Sequence, residues 1–491
     1  MRTLTSTICN LFTAAYIALI LVACGGGGSG TDSSADGATG SVSIALTDKP
    51  ADLSEIDQIL VTIKAVELFR EDGEKSTLYD GRPRGPFDLL KLENESRPLA
   101  FGREVPVGTY CKIRLTLTDL ELVFNTGEPN FHPKLPGNSK LDLNARDCFE
   151  VRRGDTVYVQ LDMDARSIHI VETKNGTSYN FRPVVFIDAI TRQFPGKLVR
   201  LEDGVIRRLD SESGKFLLCG FSYGDRVNGD NEDCMIITVN RNTSAFDNVD
   251  VDGINRTTDG DAIPLDELLV PERVGTEPVT VVGKFDLDES ADSEYPVLNA
   301  LVVELGGNLN LGGTVTSGAS DLRFNMEVDS GEGISTEGDL PVALQAAPIG
   351  GNGTKILTMR GDPLTSDDII PSRAVVVDGV LILPGTDPDY LNSALVIVDT
   401  SDAIPAKVAT GAIEEMLENG FLLGADTFPC EDGTGSFDVS FDAETVVYLA
   451  SSSGGGFVDT DSLAVGQEVD INGKCEATTL AADFIIITEK D

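Results

Sequence analysis

The chain contains no tryptophan, only two histidines and just 6% aromatic residues. Sugar-binding modules usually stack sugars on aromatic faces, so this shortage of rings weakens the case for a carbohydrate-binding surface. Histidine is the common general base of hydrolases, yet neither His132 nor His169 accompanies a Gly-x-Ser-x-Gly motif. The sequence therefore predicts a protein that is not an enzyme, and an envelope hydrolase is kept only as an unlikely alternative.

Basic residues are also scarce, because 38 Lys and Arg stand against 80 Asp and Glu, for a net charge of −42. The imbalance is concentrated after residue 190, where 18 basic residues face 54 acidic ones. A surface this acidic repels phosphate backbones, so nucleic acid is disfavoured and no nucleic-acid partner is expected. Two explanations of the acidity stay open, solubility and the binding of divalent cations, and the sequence favours solubility.

Long apolar runs are rare, and the longest, Ile8–Val22, follows the basic Arg2 and ends at Leu21-Val22-Ala23-Cys24. The run is short for a membrane span and resembles the signal peptide and lipobox of bacterial lipoproteins, in which the cysteine is lipidated. We therefore expect a signal peptide over residues 1–23 and, over residues 24–39, a lipidated Cys24 with a flexible Gly/Ser tether. An ordinary secretory signal and an uncleaved anchor helix are the alternatives.

The expected location follows from that resemblance. Gly25 after the cysteine resembles the outer-membrane sorting signal of Gram-negative lipoproteins. We expect a protein anchored in the outer membrane through its N-terminal lipid, facing the periplasm or the cell surface, with a possible glycan or protein partner there.

Six cysteines remain after the signal region, and they fall as three neighbouring pairs: Cys111 with Cys148, Cys219 with Cys234, and Cys430 with Cys475. Six cysteines allow 15 connectivities, but the wide cysteine-free gaps favour pairing between neighbours. An oxidising compartment outside the cytoplasm suits disulfides. A metal site built from these cysteines is disfavoured because the chain contains no Cys-x-x-Cys spacing.

Short Val/Ile/Thr-rich segments with frequent Gly and Pro predict an all-β protein. In residues 40–190, apolar side chains alternate with small or polar ones, as in Val42, Ile44 and Leu46, which indicates half-buried strands. Many short strands with one buried face favour a two-sheet sandwich.

The same region carries a family resemblance. It resembles an uncharacterised N-terminal domain of bacterial lipoproteins in the order of five segments. These are Gly40–Pro50, Phe87–Leu90, the turn Val105–Tyr110, Asp164–Ile168 and Phe181–Val185. The Pro-x-Gly-x-Tyr turn also resembles that of prealbumin-like and carbohydrate-binding-like sandwiches. The resemblance implies a β-sandwich in an exported protein and no particular activity.

The rest of the chain contains three diverged repeats, over residues 195–306, 308–400 and 405–491, of which the middle one matches poorly. A closing strand ends in glycine each time, at Gly283, Gly379 and Gly473, and a strand that begins near an alanine follows. This length and pattern predict three small OB-like β-barrels. The repeats resemble a second uncharacterised family of exported β-barrels.

One acidic stretch has the spacing of a calcium-binding loop, with Asn248, Asp250 and Asp252 as alternate oxygen ligands, Gly253 for the turn, and Asp259 as the closing carboxylate. No cofactor is expected other than this possible Ca²⁺. The alternative is an acidic loop between barrel strands. Taken together, the sequence predicts a lipid-anchored, non-catalytic envelope protein that acts as a binding or scaffolding module, with a surface carbohydrate-binding protein as an alternative.

Overall fold

The computed structural model describes residues 38–48, 56–124, 129–133, 139–164, 169–173, 176–180, 184–192, 195–221, 233–248, 260–275, 277–287, 293–329, 338–383, 389–400, 407–425, 430, 435–442, 445–451 and 454–488. All of them belong to the compact unit Ala38–Asp491. Cys24 and its flanking segments therefore lie outside the described residues. Within the described part, no helix has the length and apolar character needed to cross a membrane.

The N-terminal domain is a β-sandwich, as the alternating pattern predicted. Its strands are β1 (Thr39–Thr47), β2 (Ile56–Arg70), β3 (Lys75–Asp88), β4 (Arg97–Pro106), β5 (Gly108–Phe124), β6 (Lys140–Val151), β7 (Thr156–Asp164), β8 (His169–Thr173), β9 (Gly176–Asn180) and β10 (Val184–Ala189). One sheet has the order β10-β7-β1-β4 and the other β3-β2-β5-β6, while β8 and β9 form a separate hairpin. The inward residues Ile44, Ile63 and Leu115 are fully buried in the core between the sheets.

Three barrels follow the sandwich. Barrel 1 contains β11 (Val199–Asp210), β12 (Lys215–Cys219), β13 (Cys234–Thr238), β14 (Ser244–Asp247), β15 (Asp261–Ile263), β16 (Val279–Phe285) and β17 (Val297–Leu305). Barrel 2 contains β18 (Leu309–Ser320), β19 (Arg323–Val328), β20 (Leu340–Leu344), β21 (Lys355–Thr358), β22 (Ala374–Ile382) and β23 (Tyr390–Val398). Barrel 3 contains β24 (Lys407–Leu417), β25 (Gly420–Ala425), β26 (Gly435–Ser440), β27 (Val446–Ser451), β28 (Gly454–Val458), β29 (Glu468–Glu476) and β30 (Thr479–Thr488).

Helical turns are few and short in the described part. One α-helical turn spans Leu265–Leu268, and 3₁₀ turns span Leu90–Leu92, Pro271–Arg273, Ser366–Asp368 and Thr460–Ser462.

The three barrels share one topology. In each, five strands form a ring that closes through a parallel pair, β13 with β17, β20 with β23, and β26 with β30. The middle repeat has this ring although its sequence matches the others poorly, because the buried positions keep their apolar character while the residue types change. This arrangement agrees with the predicted OB-like barrels.

The glycine predicted to end each closing strand lies inside it, because β16, β22 and β29 continue for two or three residues beyond, and its structural role is the same in all three barrels. Gly283, Gly379 and Gly473 each follow a register shift against the last strand. A Cβ atom at any of them would overlap with a backbone carbonyl of that strand. Glycine is therefore required where the strand bends to close the barrel.

Candidate functional site

The domains are joined by a buried cluster of charged side chains. Arg200, on β11 of barrel 1, is completely buried between the sandwich and barrel 2. Its Nε atom lies 2.5 Å from Oε2 of Glu95 in the sandwich, and its Nη2 atom lies 2.5 Å from Oδ2 of Asp378 on β22 of barrel 2. One guanidinium therefore connects three domains.

Further ion pairs surround this arginine. Arg97 lies 3.0 Å from Glu95 and 2.5 Å from Glu202, and Asn310 donates to the second oxygen of Asp378 at 2.7 Å. Burial alone would raise the pKa of Glu202, but Arg97 outweighs it and lowers that pKa to about 2. Burial likewise works against the charged form of Arg200, yet Asp378 and Glu95 hold its pKa above the ordinary value. Arg97, Arg200 and Glu202 are thus charged near neutral pH, whereas burial raises the pKa of Asp378 against the lowering effect of Arg200.

Backbone hydrogen bonds reinforce the same junction. Ser96 donates its N–H to the carbonyl of Leu198 at 2.7 Å, and Arg200 donates to the carbonyl of Ser96 at 2.9 Å. The ring of Tyr158, from the sandwich, stacks on Phe285 of barrel 1 at a centroid distance of 4.3 Å. These bonds fix the position of barrel 1 on the sandwich.

Apolar surfaces join the other domains. Barrels 1 and 2 share a buried cluster formed by Leu198, Phe246, Val282, Val302, Leu357, Ala394, Leu395 and Ile397. Barrel 3 returns to the sandwich, where Phe186 on β10 packs against Phe457 and Phe484 at centroid distances of 5.6 and 5.5 Å. Apolar contacts of this kind oppose independent motion of the domains.

A cavity of about 110 Å³ lies between the sandwich and barrel 1. Its wall combines the aromatic rings of Phe101, Phe221 and Tyr295 with the ion pair between Arg84 and Asp233. We call it the junction groove. Rings beside fixed charges suit a small polar ligand with an apolar face.

The structure contains the three disulfides expected from the cysteine spacing, Cys111–Cys148, Cys219–Cys234 and Cys430–Cys475. The first lies in the sandwich, and the others lie in barrels 1 and 3. The Cys219–Cys234 bridge joins the ends of two paired strands and contributes Cys234 to the junction groove.

Of the predicted calcium ligands, Asn248 is described, whereas Asp250, Asp252 and Asp259 lie outside the described residues. Asn248 donates its side-chain N–H to the carbonyl of Gly307. Within the described part, no group of three or more His, Cys, Asp or Glu side chains is placed to hold a metal ion.

Two of the described tyrosines of the sandwich are buried. Tyr110 and Tyr158 are each 1% exposed, and Tyr110 donates its hydroxyl to the carbonyl of Pro106 at 2.8 Å. The guanidinium of Arg84 lies over the ring of Tyr79, with its carbon 3.6 Å from the ring centroid. The side chain of Tyr179 lies outside the described residues.

The residues at the domain junctions are not among those predicted from the sequence. Arg200 stands between the buried Val199 and Leu201, and Asp378 ends a run of valines. A charged residue inside a β-branched run was the available signal, because burying a charge is costly unless it is paired. The partners of these charges come from distant parts of the chain, so the pairing itself had no local pattern.

These features define a multi-domain all-β protein whose sandwich and barrels are fixed to one another by buried contacts. Within it, residues 39–183 match the family model described as Domain of unknown function (DUF4382). No curated protein matches the chain.

A search of solved structures found similarity to "drosophila Unr CSD456". That protein is 10% identical, with 60% of this chain and 99% of the other covered, and the TM-score is 0.16. A TM-score this low carries no argument about fold or function.

Proposed function

We propose that this protein is a lipid-anchored, non-catalytic protein of the bacterial outer membrane that acts as a binding or scaffolding module, facing the periplasm or the cell surface. The lipobox at Cys24 and the glycine tether support the anchor. The acidic surface disfavours nucleic acid as the partner.

The observation that carries the scaffolding role is the position of Arg200. A fully buried arginine that bridges Glu95 and Asp378 fixes three domains at one point. Removing one partner would leave another charge buried and unpaired, so the packed arrangement of the domains requires these residues together. A fixed array of domains presents partner-binding surfaces at constant spacing, which is what a scaffold requires.

Carbohydrate binding is the second candidate, and the junction groove favours it. Tyr295 and Phe101 are partly exposed there, beside the Arg84–Asp233 pair. Sugars present an apolar ring face and hydroxyls that hydrogen-bond to charged groups. This candidate predicts that the protein is retained on a glycan array. Tyr295→Ala should abolish the retention, and Tyr390→Ala in barrel 2 should preserve it.

The hydrolase alternative has the least support. His132 is exposed and lies 3.1 Å from Asp119, which could orient the ring, but the pair is on the surface of the sandwich and not in the junction groove. We propose no reaction for it.

Two measurements test the proposed function. Wild-type protein should incorporate labelled palmitate and fractionate with the outer membrane, and Cys24→Ser should be unlabelled and soluble. A photo-crosslinking residue in place of Arg103, which lines the junction groove, should then form an adduct with the partner. The same residue in place of Arg152, which does not line the groove, should form none. Membrane retention of Cys24→Ser would contradict the anchor, and equal adducts at both positions would contradict a groove-specific partner.

A further inference from the structure

A buried carboxylate, Glu304, occupies a position where the other barrels have isoleucine. On β17 it faces Thr280, three residues before Gly283. The same register in barrels 2 and 3 places Ile397 and Ile486 at this position. All three side chains are at most 5% exposed and occupy positions at domain junctions. Packing alone would favour an apolar residue, so the carboxylate calls for another explanation.

Glu304 lines a small cavity of about 10 Å³ between barrels 1 and 2. Amide side chains from both barrels share the wall, including Asn248, Asn308 and Asn392. A volume of this size holds one water molecule or one monoatomic ion. The Oε2 atom of Glu304 is buried there and has no hydrogen-bond partner in the described part of the chain.

The charges around Glu304 do not neutralise it. Arg200 attracts it electrostatically, but Arg200 already pairs with Glu95 and Asp378. Burial raises the pKa of Glu304 well above its usual range, and the charges of Asp378 and Glu202 raise it further. Arg200 and the hydrogen bond with Asn308 lower this pKa but do not offset the rise. A buried carboxylate in this setting needs either a proton or a cation.

Asn248 supplies an argument for the cation. It is the first residue of the acidic stretch whose spacing predicted calcium ligands, and Gly260, just after that stretch, lines the same cavity. The Asn248 side-chain N–H is used by Gly307, which leaves its amide oxygen as an acceptor. Asn248, the first residue of that pattern, and the carboxylate of Glu304 on a distant strand therefore line one cavity.

We propose that this cavity is a cation site in which the Glu304 carboxylate and the amide oxygen of Asn248 bind a divalent cation of the calcium class between barrels 1 and 2. Hard cations of this kind take carboxylate and amide oxygens as ligands. The site is independent of what the protein binds elsewhere. Asp250, Asp252 and Asp259 lie outside the described residues, and their contribution is a separate arm of the test.

The test measures thermal unfolding of the mature protein after chelator treatment, in CaCl₂ or in NaCl at matched ionic strength, at pH 6 and pH 8. Calcium should raise the melting temperature by several degrees at pH 8 and by less at pH 6, because protons compete for the carboxylate. Calorimetric titration should show one calcium bound at this site. Equal effects of both salts would overturn the proposal and identify a proton as the neutralising species.

Four variants locate the effect. Glu304→Gln and Glu304→Ile, the latter introducing the residue of the other barrels, should fold and lose the calcium-specific shift, and the exposed Glu267→Gln should keep it. Two substitutions of Glu304 are used so that the test remains valid if one of them fails to fold. If Asp250→Ala with Asp252→Ala loses the shift while Glu304→Gln keeps it, the acidic stretch binds calcium without Glu304 and the proposal is wrong.

Discussion

The Nη2 atom of Arg200 lies 2.5 Å from Oδ2 of Asp378, and both side chains are completely buried where barrel 1 meets barrel 2. These residues are distant in sequence and belong to different repeats. The pair therefore forms only when the two barrels pack together, and neither barrel can form it alone.

Replacing the arginine should separate these domains. Arg200→Met leaves Asp378 buried without a basic partner and Glu95 with Arg97 alone, which should cost about 3–5 kcal/mol of unfolding free energy. Calorimetry should show barrel 2 unfolding apart from the sandwich and barrel 1. Arg114→Met, which breaks a more exposed pair with Asp142, should cost at most about 1 kcal/mol. A single unshifted transition in Arg200→Met would contradict a locking role.

Glu93 should make stability depend on pH. Burial, together with Asp399 and Asp329, raises the pKa of its carboxyl to about 7 despite the nearby Lys197. The folded state thus holds a proton that the unfolded chain releases near pH 4.3, so stability falls as pH rises from about 4.3 to about 7.

Between pH 5 and pH 8 this change in pKa corresponds to roughly 2–3 kcal/mol of unfolding free energy. Urea unfolding at pH 5 and pH 8 should show this difference, and Glu93→Gln should reduce it, while the exposed Glu272→Gln should leave it unchanged. An equal slope in wild type and Glu93→Gln would assign the pH dependence to other groups.

Removing the closing glycine should damage a barrel. A Cβ at Gly473 would overlap with the carbonyl oxygen of Ala481, whereas a Cβ at Gly456 meets open space. Gly473→Ala should therefore lose roughly 1–3 kcal/mol, because the backbone of β30 must move. Gly456→Ala should stay within about 0.5 kcal/mol of wild type. Similar stability of the two variants by urea unfolding would show that the bend tolerates a side chain.

The disulfides should stabilise barrels 1 and 3 but not barrel 2, which contains no cysteine. Cys219→Ser with Cys234→Ser opens a loop with a sequence separation of 15, and about 3 kcal/mol should be lost. Hydrogen exchange should show faster opening of barrel 1 in this variant and unchanged protection of the β22–β23 pair in barrel 2. Free thiols in non-reducing peptide maps of wild type would contradict the pairing itself.

The sequence by itself determined the class of fold and the three cysteine pairs. Alternation such as Val42, Ile44 and Leu46 has one physical cause, a strand with one buried face, so local pattern was sufficient. The glycines at 283, 379 and 473 likewise indicated a repeated bend, because only glycine tolerates so close a backbone approach.

Only the tertiary structure decided which residues meet at the domain junctions. Arg200, Glu95 and Asp378 come from three domains, and Glu304 occupies the same register position as Ile397 and Ile486. Sequence patterns report how each strand faces its own core, whereas charge pairing depends on how separate domains pack. The cost of burying these charges is set by their neighbours in space, and those neighbours are fixed only when sandwich and barrels come together.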